Sequence, residues 1–230
     1  MTRFLLATGS PRRRELFALF CWPFDVASAD VDESPHDGET PAQMVLRLAQ
    51  AKALATSRMM TDGFVIAADT TVSLDGVSLG KPRDHADADR MLRALRGRTH
   101  QVHTAIALID VSRHASRALS DLATTDVPMR NYRDDEIAAY IASGDSLDKA
   151  GAYAIQHDGF HPVAGLRGCF ANVMGLPLCH LTRSLRAMHI EPQVDVPAVC
   201  QSQVRYECPV FEDILRDACY ERTRSRRKVA

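Results

Sequence analysis

The sequence predicts an α/β fold built on a mixed central sheet flanked by helices. Three observations carry that prediction. Short apolar runs such as RFLLAT (3–8) and FVIAAD (64–69) alternate with amphipathic stretches that begin at capping residues. The Asp75-Gly76 pair sits between two β-like runs in VSLDGVSL (72–79), the signature of a tight hairpin. Two long β-like runs, HQVHTAIALIDV (100–111) and RALSDLATTDVPM (117–129), are placed to pair antiparallel. Strands that alternate with helices indicate parallel pairing, and hairpins add antiparallel pairing, so the sheet is mixed.

The elements follow in order. RFLLAT reads as a buried strand. Ser10 is placed to cap a helix with Pro11 at its first position, and that helix turns Leu16, Phe17, Leu19 and Phe20 inward. FDVAS (24–28) is a second strand, and ADVDESPHDGET (29–40) an acidic loop. Thr40-Pro41-Ala42-Gln43 has the form of a capping box, opening a helix that runs to about Ser57. FVIAAD is a buried strand ending at Asp69, and the 72–79 hairpin follows. Residues 86–96 form a short helix ended by Gly97. After the long antiparallel pair comes the helix DDEIAAYIAS (134–143), stopped by Gly144. GAYAIQ (151–156) and CFANVM (169–174) read as short strands, and 177–189 as a helix. Beyond Ile190 the composition changes. Pro192, Pro197 and Pro209 punctuate a polar stretch that ends in RTRSRRKVA, so residues 1–190 read as the folded domain and 191–230 as an extension with one short helix around FEDILRDA (211–218).

The 230 residues are 46% hydrophobic, enough for a real core, and their net charge of -1 gives no global attraction to nucleic acid or to an anionic membrane. The apolar runs are too short to span a bilayer and the start lacks a signal-peptide layout. Six scattered cysteines without C-x-x-C spacing read as reduced thiols in a cytoplasm. Cys200 and Cys208 are close enough in sequence to raise a disulfide or a metal site, but no four-ligand set completes one.

Against that neutral background, positive charge is concentrated in LATGSPRRREL (6–16), where Arg12, Arg13 and Arg14 occupy the first turn of a helix. That end already carries a partial positive charge, so cations there are mildly unfavourable unless an anion binds. Guanidinium forks suit phosphate, although a solvated basic turn would also read this way. Lys52 falls on the same arc of its helix as Met44, Val45, Leu48, Ala51 and Ala55, where a lysine either snorkels or points into a site at the edge of the core. Asp69 is either a turn-forming carboxylate or a group at the C-terminal edge of strands, where α/β sheets place ligands. GVSLGKP (76–82), with Lys81, lacks the spacing and hydroxyl residue of a P-loop. Gln156 is either a polar edge residue or an amide that pairs with a base edge.

Taken together these strings resemble the Maf family of nucleotide pyrophosphatases. The matching stretches are LATGSPRRREL, VDE (31–33), AQAKA (49–53), VIAADTTVSLDGVSLGKP (65–82), MLRALRGRTHQVHTAIAL (91–108), DKAGAYAIQ (148–156) and NVMGLPL (172–178), in family order over residues 3 to about 188. The resemblance implies a deep cleft and a fold similar to the inosine triphosphate pyrophosphatases. It implies metal-dependent hydrolysis of a nucleoside triphosphate to monophosphate and pyrophosphate, with Mg2+, Mn2+ or Co2+, in a cytoplasmic homodimer. Asp69 matches the family's general base. Arg12, Thr70 and Gln156 match the positions associated with base choice, and all three side with dTTP and UTP rather than with 7-methylguanosine triphosphate. Ser10, Arg13, Lys52 and Lys81 match phosphate-facing positions, and Glu33 is the second candidate carboxylate, with Asp69, for the metal. Ala154 and His157 stand where the family usually has glycine, which bears on specificity more than on the reaction. A regulatory or nucleic-acid-binding role is the alternative, resting on Arg222, Arg224, Arg226, Arg227 and Lys228, though a basic tail is ordinarily just solvated.

Overall fold

The computed structural model of the chain describes residues 2–111 and 117–216. Six strands form one sheet: β1 (Phe4–Ala7), β2 (Phe24–Ala27), β3 (Phe64–Leu74), β4 (Val77–Leu79), β5 (Thr99–Asp110) and β6 (Arg117–Pro128). Eight helices surround it: α1 (Pro11–Ala18), α2 (Pro41–Ser57), α3 (His85–Leu95), α4 (Asp134–Ala142), α5 (Phe170–Met174), α6 (Leu178–Ala187), α7 (Val196–Val204) and α8 (Phe211–Arg216). The sheet order is β2-β1-β3-β5-β6, with β4 paired to the far end of β3. β1 is parallel to β2 and β3, and β3, β5 and β6 are antiparallel, so the expected mixed α/β sheet is present. None of the described helices is long and apolar enough to cross a membrane.

Side chains alternate between the two faces of the sheet. Leu5, Ala7, Val65, Ala67, Ala105 and Ala107 meet Val45, Ala49 and Ala53 of α2 on one side. Phe4, Leu6, Ile66, Ala68, Ile106 and Leu108 meet α1, α5, α6 and α7 on the other. Each fully buried large apolar side chain of these layers contributes about 1.5–3 kcal/mol. A third cluster, around Leu92, Tyr132 and Ile137, joins α3 and α4 to the far ends of β3, β5 and β6.

The local signals that specified elements directly are present in their expected form. The Thr40 side chain accepts from Gln43 N–H while Gln43 answers at Thr40 N–H, and α2 ends at Ser57. Asp75 and Gly76 both have positive φ, as a two-residue hairpin with matching twist requires.

Several expectations are corrected. β3 does not stop at Asp69 but continues to Leu74, because Asp69, Thr71 and Ser73 are buried within the sheet and pair with β5. It is β1 that ends there. β1 covers Phe64–Ala67 of β3 and β4 covers Val72–Leu74 on the same edge, so residues 68–71 of β3 have β5 on one side and a notch in the sheet on the other. GAYAIQ is not a strand. Ala150–Ala152 form one 3-10 turn, and Gly151, at φ +69°, donates its N–H to Gly80 O, where an added Cβ would sit 3.0 Å from Val72. CFANVM is helix α5, in which the Asn172 amide donates to Val102 O and Thr125 Oγ1. Ser10 precedes α1, but its side chain makes no capping bond; instead its N–H donates to Thr8 Oγ1 at 3.0 Å.

Residues 191–216 hold two helices rather than one. Asp195 caps α7, and Val196 and Cys200 are buried in the core shared with α6. The basic residues 222–228 and Cys219 lie outside the described residues.

Candidate active site

The notch beside residues 68–71 organises the polar side chains picked out in the sequence. Asp69 points to the α2 side. Lys52 lies on the buried stripe of α2 with Val45, Leu48, Ala49, Ala53 and Thr56, and its ammonium reaches Asp69 Oδ1 at 2.6 Å. The same Nζ is 2.6 Å from Glu33 Oε1. Lys52 and Asp69 side chains are 16% and 11% exposed against 63% for Glu33, so Glu33 is the member free to move toward solvent. Arg47 of α2 ties the loop carrying Glu33 in place, donating to Ser34 O and to both Glu39 oxygens. Burial raises the Asp69 carboxyl above the usual range, and the charges of Lys52 and Arg13 pull it back. A carboxylate in that position is a stronger base than one in water.

Thr70, the next residue, points to the opposite side of the sheet. Arg13 Nη2 donates to Thr70 Oγ1 at 2.9 Å, and Arg13 Nε to Gly175 O at 2.8 Å. Thr104 Oγ1 donates to Asn172 O at 2.9 Å, so the Thr70 hydroxyl gives its proton to Thr104 Oγ1, also at 2.9 Å. The hydrogen bonds run from Arg13 to Thr70 to Thr104 and end on the Asn172 carbonyl, which accepts. Burial lowers the Arg13 pKa, as does the charge of Arg12, and Asp69 and Glu33 oppose that fall. Arg13 therefore belongs to the same electrostatic set as Asp69, although it is held from the other face. Gly175, at φ +106°, lets this approach happen: an added Cβ would lie 3.2 Å from Thr70 Oγ1 and 3.4 Å from Arg13 Nε.

Arg12 points away from Arg13 into a cleft of about 400 Å³ that it lines with Asp145, Lys149, Gln156, His157 and Asp158. Its guanidinium lies 3.6 Å from Asp148, which also accepts from Lys149 at 2.6 Å. Lys149 is buried and donates to Asp145 as well, so the Arg12 side of the cleft rests on a fixed row of alternating charges. Gln156 is exposed on the cleft wall. Asp69 does not line this cleft, so these polar side chains fall into two compartments, the notch with Arg13 and the cleft with Arg12. Lys81 is exposed and makes no ion pair among the described residues; the Gly151–Gly80 bond holds its loop against the 148–156 segment. Ser10 sits at the start of α1, just before both arginines.

Among the described residues no three His, Cys, Asp or Glu side chains gather into a metal cage. Asp69 and Glu33, however, both direct an oxygen at one ammonium. Two hard carboxylates in a site otherwise lined by cations suit a magnesium-like ion, which is commonly held by one or two carboxylates plus substrate phosphates.

The structure gathers Arg12, Arg13, Glu33, Lys52, Asp69, Thr70 and Gln156, all picked out in the sequence, around the notch and the cleft, with supports that the sequence did not single out. Asp148 and Lys149 lay inside a quoted motif with no pattern to show which would pair with Arg12. Thr104, Asn172 and Gly175 also lie inside matching stretches, but a hydroxyl, an amide and a glycine in apolar surroundings do not show by type what they support. The Cys208 thiol partners Cys169 rather than Cys200.

A family model described as Maf-like protein matches residues 3–188. The chain is 46% identical over 184 residues to the dTTP/UTP pyrophosphatase of Geotalea uraniireducens, an alignment covering 80% of this chain and 94% of that protein. It is 45% identical over 187 residues to the dTTP/UTP pyrophosphatase of Geobacter metallireducens, covering 81% and 96%. Among solved structures, a nucleoside-triphosphatase/dITP/XTP pyrophosphatase from Mycobacterium abscessus aligns with a TM-score of 0.41 and 15% identity, over 81% of this chain and 98% of that one.

Proposed function

The chain belongs to the Maf family, and from that membership we propose that it hydrolyses dTTP and UTP to the nucleoside monophosphate and pyrophosphate. The observation that carries the reading is the Lys52 ammonium shared by Asp69 and Glu33 at the notch, with Arg13 on the opposite face. A triphosphate threaded through the notch meets cations from both sides. Arg13 and Lys52 bind its oxygens, Lys81 closes from the hairpin loop, and Ser10 with the start of α1 offers donors at the entrance. Glu33, being exposed, swings aside as phosphate takes its place on Lys52. Asp69, with its pKa raised by burial, accepts the proton of the attacking water. Asp69 and Glu33 would hold a divalent cation, Mg2+, Mn2+ or Co2+, which when bound neutralises phosphate charge and acidifies water.

The base lies in the second compartment. Uracil and thymine present an N3–H donor beside carbonyl acceptors, which one glutamine amide complements. Gln156 and Arg12 line that cleft, and Thr70 acts on it through Arg13, because its hydroxyl proton is committed to Thr104. The proposal places the enzyme in the cytoplasm as a homodimer, in line with what the family resemblance implies. Its test is a panel of nucleoside triphosphates, 7-methylguanosine triphosphate included, assayed with each cation for pyrophosphate and for orthophosphate separately. Pyrophosphate release confined to dTTP and UTP is the expected result. Orthophosphate as the first product, or preference for the methylated purine, overturns it.

A further inference from the structure

Residues 191–216 lie beyond the family match, yet they are fastened to the sheet domain, through Val196 and Cys200 in the core and through a second set of contacts around Tyr206. Tyr206 Oη donates to Leu166 O at 3.0 Å, and its ring centre lies 5.6 Å from that of Phe170. Cys208 N–H donates to Gln201 Oε1 at 2.8 Å, fixing the turn between α7 and α8. These contacts close a narrow apolar groove whose walls carry Cys169, Cys179, Cys200 and Cys208. Cys169 is the residue before α5, and in the groove its thiol is hydrogen-bonded to that of Cys208.

The four thiols are not equivalent. Burial pushes Cys179 up to about 12 and Cys200 up to about 11, and the thiol bonded to Cys208 is that of Cys169. Cys208 is half-buried, and the hydrogen bond with Cys169, helped by the backbone N–H groups of Val210 and Phe211, holds its pKa below the usual thiol range. The same bond, with burial, raises Cys169. One accessible thiolate beside one resolving thiol is the arrangement of a redox-responsive pair.

We propose that Cys169 and Cys208 form a reversible dithiol–disulfide site that clips residues 191–216 to the start of α5, with a low-molecular-weight disulfide as the oxidant. The Cys208 thiolate attacks one sulfur of the oxidant. That S–S bond breaks, and the departing thiolate takes a proton from solvent. The Cys169 thiol then releases its proton, and its sulfur attacks Cys208 in the mixed disulfide, expelling the second small thiolate, which is protonated in turn. Two protein thiols lose two electrons and the oxidant becomes two thiols; excess small thiol runs the sequence backwards. The site is independent of nucleotide hydrolysis and stands or falls separately from it.

The test is exposure of the full chain to oxidised glutathione, followed by peptide mapping without reduction. A peptide pair joined through Cys169 and Cys208 is expected. It is released by dithiothreitol, absent from Cys208→Ser and Cys169→Ala, and retained in Cys200→Ser. Oxidised wild type should also melt at a higher temperature than the reduced form, a difference missing in Cys208→Ser, because a cross-link restricts the unfolded chain. A stable glutathione adduct on Cys208 without a cross-link, or pairing of Cys208 with Cys200 or Cys219 instead, overturns the assignment.

Discussion

Asp69 and Thr70 are consecutive in β3 and act on opposite sides of the sheet: Asp69 bonds to Lys52 of α2 at 2.6 Å, and Thr70 to Arg13 of α1 at 2.9 Å. The alternation of a β-strand makes this unavoidable. In the proposed mechanism the base shares one face with Lys52 while Arg13 holds the anion from the other, so the Asp69 and Arg13 ends can be perturbed separately.

Replacing Asp69 by Asn should lower kcat at least about 10²-fold, the low end for loss of a general base. The melting temperature should hold. The amide is isosteric, burial no longer opposes a charge there, and Lys52 keeps Glu33 as a partner. A folded variant with near-normal turnover would remove Asp69 from the role of base.

On the other face, Gly175→Ala should displace Arg13. The new Cβ has no clear space beside Thr70 Oγ1 and Arg13 Nε, and φ +106° strains any L side chain. Such a conformation costs about 1–3 kcal/mol, so stability falls together with kcat/KM. Gly144→Ala is the control. Gly144 also has positive φ, +79°, but an added Cβ meets nothing within 4 Å, so it should lose stability while retaining kcat/KM. Equal activity in the two folded variants would mean that the Arg13 fork does not matter.

Acid should loosen the cleft wall through His100. Burial lowers its pKa to about 4, and its Nε2 is hydrogen-bonded with the Tyr153 hydroxyl at 2.8 Å, three residues before Gln156. The unfolded chain titrates near 6.5, roughly the ordinary histidine value. Between those values the unfolded state binds a proton that the folded state refuses, so stability falls as pH drops from about 6.5 toward 4. Melting curves across that range should show the fall, and His100→Gln should flatten it even if its plateau is lower. An unchanged slope in the variant assigns the acid sensitivity elsewhere.

Gln156→Glu should weaken base choice. The change keeps shape but removes the donor and places a carboxylate before a carbonyl of uracil. An unmatched polar group in a bound complex costs about 1–3 kcal/mol. Cytosine, with an amino donor and an unprotonated N3, suffers less. The ratio of kcat/KM for UTP to that for cytidine triphosphate should fall at fixed metal concentration. If both rates drop together and the ratio stays, Gln156 supports the cleft without reading the base.

What was legible in the sequence was what is decided locally. The Thr40–Gln43 capping box, the Asp75-Gly76 turn and the long β5–β6 runs each specify an element within a few residues. Elements decided by distant partners were misread. Polar residues at 69–71 look like the end of a strand, but β5 continues the pairing and buries them. CFANVM has strand-like residues, yet Val102 O and Thr125 draw Asn172 into a helical turn. Pro197 reads as punctuation, whereas it occupies the first turn of α7, where its missing N–H is harmless. In the site, the charged and amide residues stood out by type, but their division between two compartments depends on contacts such as Arg12–Asp148, far apart in the chain.

The notch at residues 68–71 has one more consequence. A stretch of strand without a neighbour on one edge is a template for any passing extended chain, and proteins ordinarily blunt such edges with charges or cover. Here the opening is bordered by Arg13 on one face and by Lys52, Asp69 and Glu33 on the other. A foreign segment laid into the gap would have to strip water from those charges without replacing it, whereas a polyanion brings its own counter-charge. The side chains proposed to admit the ligand thus also disfavour pairing of this strand with another copy of the chain.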